Sequence, residues 1–319
     1  MKPPFFSIII PAFNVSAFIE ETLESVFGQT FHDFEIILIN DGSTDDTLKK
    51  ASFFNDKRLR IISTSNNGVA AARNRGIEAA KGIYIAFLDG DDVWHESRLQ
   101  NAAMALKEHP HISWYSSKSI ISANVPQKWL ISENKAQVCL YYSHAFIHVN
   151  SSSAIIKKSC IPSNLFPNGM VNAEDWVAWS RIANNNSYIL LGDTEDVLYR
   201  HRNDSASKQG VDRELLKYME LLHHLISENN NTKVTIDYDY YCRYRATQRW
   251  LLAISRRNIK CWLREFNTFR PITPPFTRFL VRAYIESNNL LVRFFAKILS
   301  MIDNYATRKA ERLLSQENK

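Results

Sequence analysis

A run of acidic residues, Asp89-Gly90-Asp91-Asp92, follows directly after the apolar stretch Tyr84–Leu88. Carboxylates at the end of a buried strand, with a glycine that lets a ligand approach closely, suit a hard divalent cation. Such a cation prefers oxygen ligands and keeps coordination positions for phosphate oxygens. The pattern therefore predicts a magnesium or manganese site for a diphosphate. A helix-capping turn before Trp94 is the structural alternative.

Phosphate would have to be held through this metal and through arginine, because the chain lacks the usual glycine-rich phosphate loops. Neither G-x-x-x-x-G-K-[ST] nor G-x-G-x-x-G occurs in it. The 4 cysteines form no C-x-x-C pair, so the sequence indicates neither a zinc cluster nor a disulfide framework. A reducing cytoplasm fits this cysteine usage best.

Strand-like and helical segments alternate over the first 90 residues. Four apolar runs predict buried strands at Phe6–Pro11, Glu35–Asn40, Arg60–Ser63 and Tyr84–Leu88. Helical patterns separate them at Ser16–Gln29, Thr47–Phe54 and Gly68–Lys81. This order predicts an α/β fold with a mostly parallel sheet and helices on both faces. The loops PAFN, NDGS, SNNG and DGDD would then share the carboxyl edge of the sheet, where ligands bind, although turns favour such residues on their own.

The pattern is less regular after Leu99. Residues 151–158 (SSSAIIKK) predict a strand, and residues 173–184 predict a helix with Glu174 and Asp175 in its first turn. Two further strands are predicted at 188–191 and 197–201. Trp176 and Trp179 lie on one face of the helix, where a core role is favoured over a sugar platform.

Charge divides the chain into a mildly acidic body and a basic tail. Residues 240–319 contain 16 Lys/Arg and 5 Asp/Glu, whereas residues 1–239 contain 23 Lys/Arg and 28 Asp/Glu. Because the pattern is helical from Val211 onward, we predict a catalytic domain at 1–210 and a basic, mainly helical extension at 211–319. The amphipathic stretch 276–314 is expected either to lie on an anionic membrane surface or to pack on the catalytic domain.

Other placements of the chain are disfavoured by the sequence. The first apolar stretch is broken by Pro11, so we expect no secretion signal. No run of 18 uncharged apolar residues occurs, so we expect no spanning helix. The arginines and aromatics of residues 242–250 match no known nucleic-acid module, and no nucleic-acid partner is expected.

Four segments in order resemble the family-2 glycosyltransferases with a GT-A-type fold. They are SIIIPAFN, EIILINDGSTDDT, NNGVAAARNRGIEAAKGIYIAFLDGDD and AEDWVAWSRI. The resemblance covers about residues 5–205. It implies a nucleotide-sugar donor and a glycan or glycolipid acceptor. Bacterial members commonly build surface polysaccharide or lipopolysaccharide at the cytoplasmic face of the membrane, so a cytoplasmic, peripheral membrane location is implied.

The resemblance also assigns donor-binding residues. The residues implied to contact the base, ribose or phosphates are Pro11, Ala12, Phe13, Asn14, Asp41, Asn67, Gly68, Arg73 and Asp89. Among these, Asp41 is implied to recognise uracil. The structural alternatives are a helix cap for Asn14 and a solvated helix charge for Arg73.

The implied metal ligands for Mn²⁺ or Mg²⁺ are Asp91 and His201, the latter with a purely structural histidine as its alternative. Asp175 of the Glu174-Asp175 pair is implied to be the catalytic base, against ordinary first-turn acidity as the alternative. The implied reaction transfers a hexose or N-acetylhexosamine from a UDP-sugar to a hydroxyl with inversion, giving a β-linkage. The alternative function is that of a non-catalytic scaffold, which binds a sugar-nucleotide or a glycan and docks on membrane through its basic tail.

Overall fold

The computed structural model describes residues 2–122, 124–126, 129, 136–140, 149–170, 174–185 and 188–201. The predicted extension at 211–319 lies outside these residues. The described part contains nine strands and five α-helices. In chain order they are β1 (Phe6–Ala12), α1 (Ile19–Phe27), β2 (Phe34–Asp41), α2 (Thr47–Ser52), β3 (Leu59–Thr64), α3 (Val69–Ala79), β4 (Tyr84–Phe87), β5 (Val93–Trp94), α4 (Arg98–Glu108), β6 (Trp114–Ser122), β7 (Gln137–Leu140), β8 (Ile155–Lys157), α5 (Glu174–Asn185) and β9 (Tyr188–Arg200).

The first four strands are parallel and lie in the order β3-β2-β1-β4. The predicted α/β architecture is therefore confirmed for this half, with strand ends within one or two residues of those expected. All residues of β1 are buried, because a central parallel strand is covered on both faces.

The two faces of β1 meet different helices, since successive side chains of a strand point in opposite directions. Ile8 and Ile10 belong to one core cluster with Ile19 and Leu23 of α1. Ile9 faces the other way, towards α3, where a Cβ at Gly76 would lie 2.3 Å from Ile9 Cγ2. Glycine at this position allows α3 to approach the sheet closely.

The second half of the sheet is mixed rather than mostly parallel. Strand β8 is antiparallel to both β4 and β6, whereas β9 is parallel to β6 and antiparallel to β5 and β7. The two strands predicted at 188–191 and 197–201 form one strand, β9. Charged residues lie between the two predicted strands, and one of them, Asp196, is fully buried and forms a 2.7 Å ion pair with Arg98 Nη1.

The strand predicted at 151–158 is also shorter than expected. Within it, Ile155–Lys157 forms the strand, and Ser151–Ser153 forms a single 3₁₀ turn. Asn150 caps this turn, because its Oδ1 accepts a 2.9 Å hydrogen bond from the Ser153 N–H. This side-chain bond competes with strand pairing.

Strands β1 to β4 run in one direction, so their carboxyl ends meet at one edge of the sheet. The loops that follow Ala12, Asp41, Thr64 and Phe87 therefore lie along this edge. None of the helices in the described ranges is both long and apolar enough to cross a bilayer.

Candidate active site

The loops after β1 and β2 are joined by hydrogen bonds between side chains and backbone. Asn14 has a left-handed backbone with φ of 51°, and its Oδ1 accepts a 2.8 Å hydrogen bond from the Thr44 N–H. The Asn14 N–H in turn donates to Ser43 Oγ at 3.2 Å. Asn14 is not the cap of α1, whose N-cap is Phe18. It connects two of the loops at the carboxyl edge.

Asp45 reinforces the same connection. Its carboxylate accepts hydrogen bonds of 3.0 Å from the backbone N–H groups of Ser16 and Thr47. Burial alone would raise the pKa of Asp45, but the hydrogen bonds from Thr47 and Ser16 lower it to about 2. Beside this connection Pro11 and Ala12 are buried, whereas Phe13 is exposed and presents its ring at the surface.

Asp41 orders the loop after β3. Its Oδ1 accepts hydrogen bonds from Thr64 Oγ1 at 3.1 Å and from the Asn67 N–H at 3.0 Å. Its Oδ2 accepts a 2.8 Å bond from the N–H of Gly68, whose φ of 87° suits a glycine. Three predicted donor-site residues, Asp41, Asn67 and Gly68, are thus brought into direct contact.

Arg73 links two acidic segments that are far apart in the sequence. Its Nη2 lies 2.6 Å from Asp89 Oδ1 and its Nη1 lies 2.7 Å from Glu174 Oε1. The residue is only 3% exposed, so the alternative of a solvated helix charge is wrong. Burial alone would lower the pKa of Arg73, but the charges of Asp89 and Glu174 outweigh it and raise that pKa. The contact places the end of β4 beside the first turn of α5.

The Asp89–Asp92 turn is fixed from two sides. A Cβ at Gly90 would lie 3.0 Å from the Pro11 carbonyl oxygen, so the turn packs closely on the end of β1. On the other side, Ser152 Oγ accepts from the Asp89 N–H at 3.0 Å and donates to Asp92 Oδ2. Sequence reasoning did not identify Ser152, and its position in an Asn-Ser-Ser-Ser turn was the available signal.

Asp92 is a structural member of the acidic run. It is 1% exposed, and its Oδ1 accepts a 2.8 Å hydrogen bond from the Arg200 N–H. Burial raises the pKa of Asp92 well above its usual range, and the neighbouring charges of Asp91 and Asp89 add to the effect. The turn thus combines a structural carboxyl group with the two predicted functional ones.

His201 lies immediately beyond β9 and is exposed. Its N–H donates a 2.9 Å hydrogen bond to the Ser122 carbonyl of β6. Together with the contact between Arg200 and Asp92, this bond brings the backbone of His201 to the Asp89–Asp92 turn. Within the described ranges, no group of three or more His, Cys, Asp or Glu residues is arranged to hold a metal by itself.

The first turn of α5 carries the acidic pair. Glu174 is 7% exposed and engaged by Arg73, whereas Asp175 beside it is partly exposed. Trp179 of the same helix is buried and donates its indole N–H to the Val149 carbonyl at 3.0 Å. The core role favoured for Trp179 is therefore confirmed. The side chain of Trp176 lies outside the described atoms.

We expect Arg73→Met to destabilise the fold strongly, because it leaves Asp89 and Glu174 close together without their cation. Removing one partner of a buried ion pair costs about 3–5 kcal/mol. Arg75→Met is the matched control, because Arg75 lies on the same helix with its side chain 55% exposed, and surface changes stay within about 0.5 kcal/mol. Equal urea unfolding midpoints for the two variants would contradict the structural role of Arg73.

Comparison with known proteins gives a consistent assignment. The Glycosyl transferase family 2 profile matches residues 7–161. An uncharacterized glycosyltransferase of Rickettsia felis is 35% identical over 188 residues, which are 57% of this chain and 30% of that protein. The chain thus spans only about a third of the length of this relative and of a similar protein from Rickettsia conorii.

Two further proteins are similar over more of their own length. The Escherichia coli UDP-Glc:alpha-D-GlcNAc-diphosphoundecaprenol beta-1,3-glucosyltransferase WfaP is 29% identical over 223 residues, covering 68% of this chain and 84% of that protein. The crystal structure of S. aureus TarS 1-349 in complex with UDP-GlcNAc has a TM-score of 0.72 at 20% identity, covering 97% of this chain and 91% of that chain. The predicted GT-A-type fold is confirmed by this likeness, and residues 7–161 form a glycosyltransferase family 2 domain.

Proposed function

We propose that this protein transfers a hexose or N-acetylhexosamine from a UDP-sugar to a hydroxyl of a lipid-linked or growing surface glycan, with inversion to a β-linkage. The observation that carries the proposal is the bridge formed by Arg73. It places Asp89, at the end of β4, beside the acidic first turn of α5. A donor diphosphate at the strand ends and a base on the helix would therefore lie at one edge of the sheet.

The uridine part of the donor is assigned to the joined loops of the first three strands. Asp41 holds Asn67 and Gly68 in place, and the exposed ring of Phe13 offers an apolar surface at the same edge of the sheet. Pro11 and Ala12 end β1, and Asn14 lies in the loop that follows it. UDP-GlcNAc in the TarS complex and UDP-Glc in the name of WfaP support a uridine donor.

The divalent cation, Mn²⁺ or Mg²⁺, is assigned to Asp91 and His201. A carboxylate and an imidazole on adjoining segments fit such an ion when the donor diphosphate supplies further oxygen ligands. When bound, the ion would neutralise charge that develops on the departing UDP. The mannosyltransferase PcManGT of Pyrobaculum calidifontis, whose structure contains GDP-Man and Mn²⁺, has a similar fold. Its TM-score with this chain is 0.59 at 16% identity.

Asp175 is proposed as the catalytic base. Glu174 is engaged by the Arg73 guanidinium, which supports assigning proton removal to its neighbour. Asp175 would accept the proton of the acceptor hydroxyl while that oxygen bonds to the anomeric carbon. The bond from this carbon to the diphosphate oxygen breaks, and UDP leaves on the opposite face. Because the acceptor oxygen attacks the face opposite the departing UDP, the anomeric centre is inverted, as in base-assisted inverting hydrolysis.

The proposed reaction is tested with the full chain, a panel of UDP-sugars and a GlcNAc-diphosphate lipid. We expect the mass of the acceptor to rise by one hexose or N-acetylhexosamine, and the proton NMR coupling of the new anomeric centre to indicate a β-linkage. An α-linked product would contradict inversion. Tight UDP-sugar binding without transfer to any glycan hydroxyl would favour the non-catalytic scaffold.

A peripheral location at the cytoplasmic face of the membrane is proposed from the basic tail alone. Residues 240–319 hold 16 Lys/Arg against 5 Asp/Glu, a charge balance that attracts anionic lipids. Deleting residues 276–319 should reduce co-sedimentation with vesicles that contain phosphatidylglycerol, and the loss should be greatest at low salt. Undiminished sedimentation would assign this stretch to packing within the protein.

A further inference from the structure

Arg200, the last residue of β9, binds the Asp89–Asp92 turn through both its backbone and its side chain. Its N–H donates to Asp92 Oδ1 at 2.8 Å, and its Nε donates to the carbonyl oxygen of Asp91 at 2.7 Å. Its Nη2 forms an ion pair with Glu21 in the first turn of α1. The guanidinium carbon lies 5.0 Å from the centre of the Phe18 ring.

These contacts act on the two segments that carry Asp91 and His201. Strand β9 pairs with β5 through Val93 and Leu198, so Arg200 extends this pairing to the turn itself. The next residue, His201, is held on its other side by the Ser122 carbonyl at 2.9 Å. The spacing between the backbones of Asp91 and His201 is therefore set through Arg200.

We propose that Arg200 is a positioning residue for the divalent cation, fixing Asp91 and His201 at the spacing that the cation and the donor diphosphate require. This inference rests on the proposed function. Substitution of a residue that orients metal ligands without binding the metal itself typically weakens metal affinity by about 10–100-fold. Arginine suits this role, because its Nε and Nη2 donate in fixed, diverging directions, which the single ammonium of lysine cannot reproduce.

The test measures Mn²⁺ affinity by electron paramagnetic resonance in the presence of saturating UDP. The Arg200→Met variant is compared with the unsubstituted full chain. Arg58→Met is the matched control, because Arg58 also pairs with a carboxylate, Asp56, and lies over an aromatic ring, that of Phe34. Arg58 precedes β3 and so lies at the opposite edge of the sheet.

We expect Arg200→Met to weaken Mn²⁺ binding by about tenfold or more, with UDP affinity in chelator unchanged. Arg58→Met should lose similar thermal stability and keep its Mn²⁺ affinity. Arg200→Lys retains the cation near Glu21 and Phe18 but lacks the Nε donor, so it should weaken Mn²⁺ binding by about threefold or more even if the methionine variant does not fold.

Unchanged Mn²⁺ affinity in Arg200→Lys would overturn the inference and leave the proposed function intact. Equal weakening by Arg58→Met would also overturn it, because the effect would then follow general destabilisation. If the unsubstituted protein bound UDP equally with Mn²⁺ and with chelator, both the inference and the metal assignment on which it rests would be wrong.

Discussion

Asp175→Asn is expected to reduce the rate of sugar transfer by at least about 100-fold, because asparagine cannot accept the proton of the acceptor hydroxyl. The substitution preserves the size of the side chain and leaves the ion pair between Arg73 and Glu174 in place. Affinity for the UDP-sugar and the melting temperature should therefore stay close to those of the unsubstituted protein. Single-turnover transfer and calorimetric donor binding measure the two quantities separately.

Glu174→Gln is the informative companion to this variant. Glu174 is 7% exposed and pairs with Arg73 at 2.7 Å, so Glu174→Gln should lower the stability of the fold and leave turnover by the folded protein largely unchanged. Near-normal turnover by Asp175→Asn would show that the base is elsewhere, and Glu174 would be the first residue to test. A loss of stability without a loss of turnover in Glu174→Gln would agree with a structural role for Glu174 as the partner of Arg73.

Asp91→Ala is expected to abolish the Mn²⁺-dependent part of donor binding. Loss of a metal ligand should weaken Mn²⁺ affinity by at least about 100-fold, the upper range seen for residues that only orient ligands. UDP affinity measured in chelator should be unchanged, because the uridine contacts belong to other loops. Calorimetric titration of UDP with Mn²⁺ and with chelator gives both values.

Asp33→Ala is the matched control for this measurement. Asp33 is exposed and directly precedes β2, so it lies at the edge of the sheet opposite to Asp91. Its removal changes the net charge by the same amount without touching the candidate site. Equal effects of the two substitutions would indicate a general electrostatic contribution, and the assignment of Asp91 as a ligand would be wrong.

The first half of the fold could be predicted because each element had a local signal. Apolar runs indicated β1 to β4 as buried strands, and turn residues separated them from the helices. The helix α4 was not predicted, because its buried face is built largely from alanines at 102, 103 and 105. Alanine contributes little apolar contrast, so the helical periodicity is weak.

Strand β9 was divided in two because its central residues are charged. Asp196 is fully buried, with Arg98 and Thr194 as partners at 2.7 and 2.8 Å. Arg98 comes from α4, almost one hundred residues away, so nothing near Asp196 in the sequence indicated its burial. Buried ion pairs join distant segments, and local periodicity does not reveal them.

The candidate site shows the same division between local and distant signals. The acidic turn at 89–92 and the pair at 174–175 were recognisable by residue type and spacing. The role of Arg73 as a bridge between them depends on tertiary contacts, as do the contacts of Arg200 with Asp91 and Asp92. Sequence alone therefore indicated the acidic groups, whereas the structure revealed how the two arginine side chains hold these groups in place.

The most direct test of the central claim is thermal stabilisation of the full chain by nucleotide-sugars, with Mn²⁺ or with chelator. A ligand that binds only the folded state raises the melting temperature, by about 5 °C or more at a hundredfold excess over its dissociation constant. We predict that UDP and one UDP-sugar stabilise the protein with Mn²⁺ and that chelator reduces the effect. No shift with any UDP-sugar in folded protein, or stabilisation by GDP-sugars alone, would contradict the account.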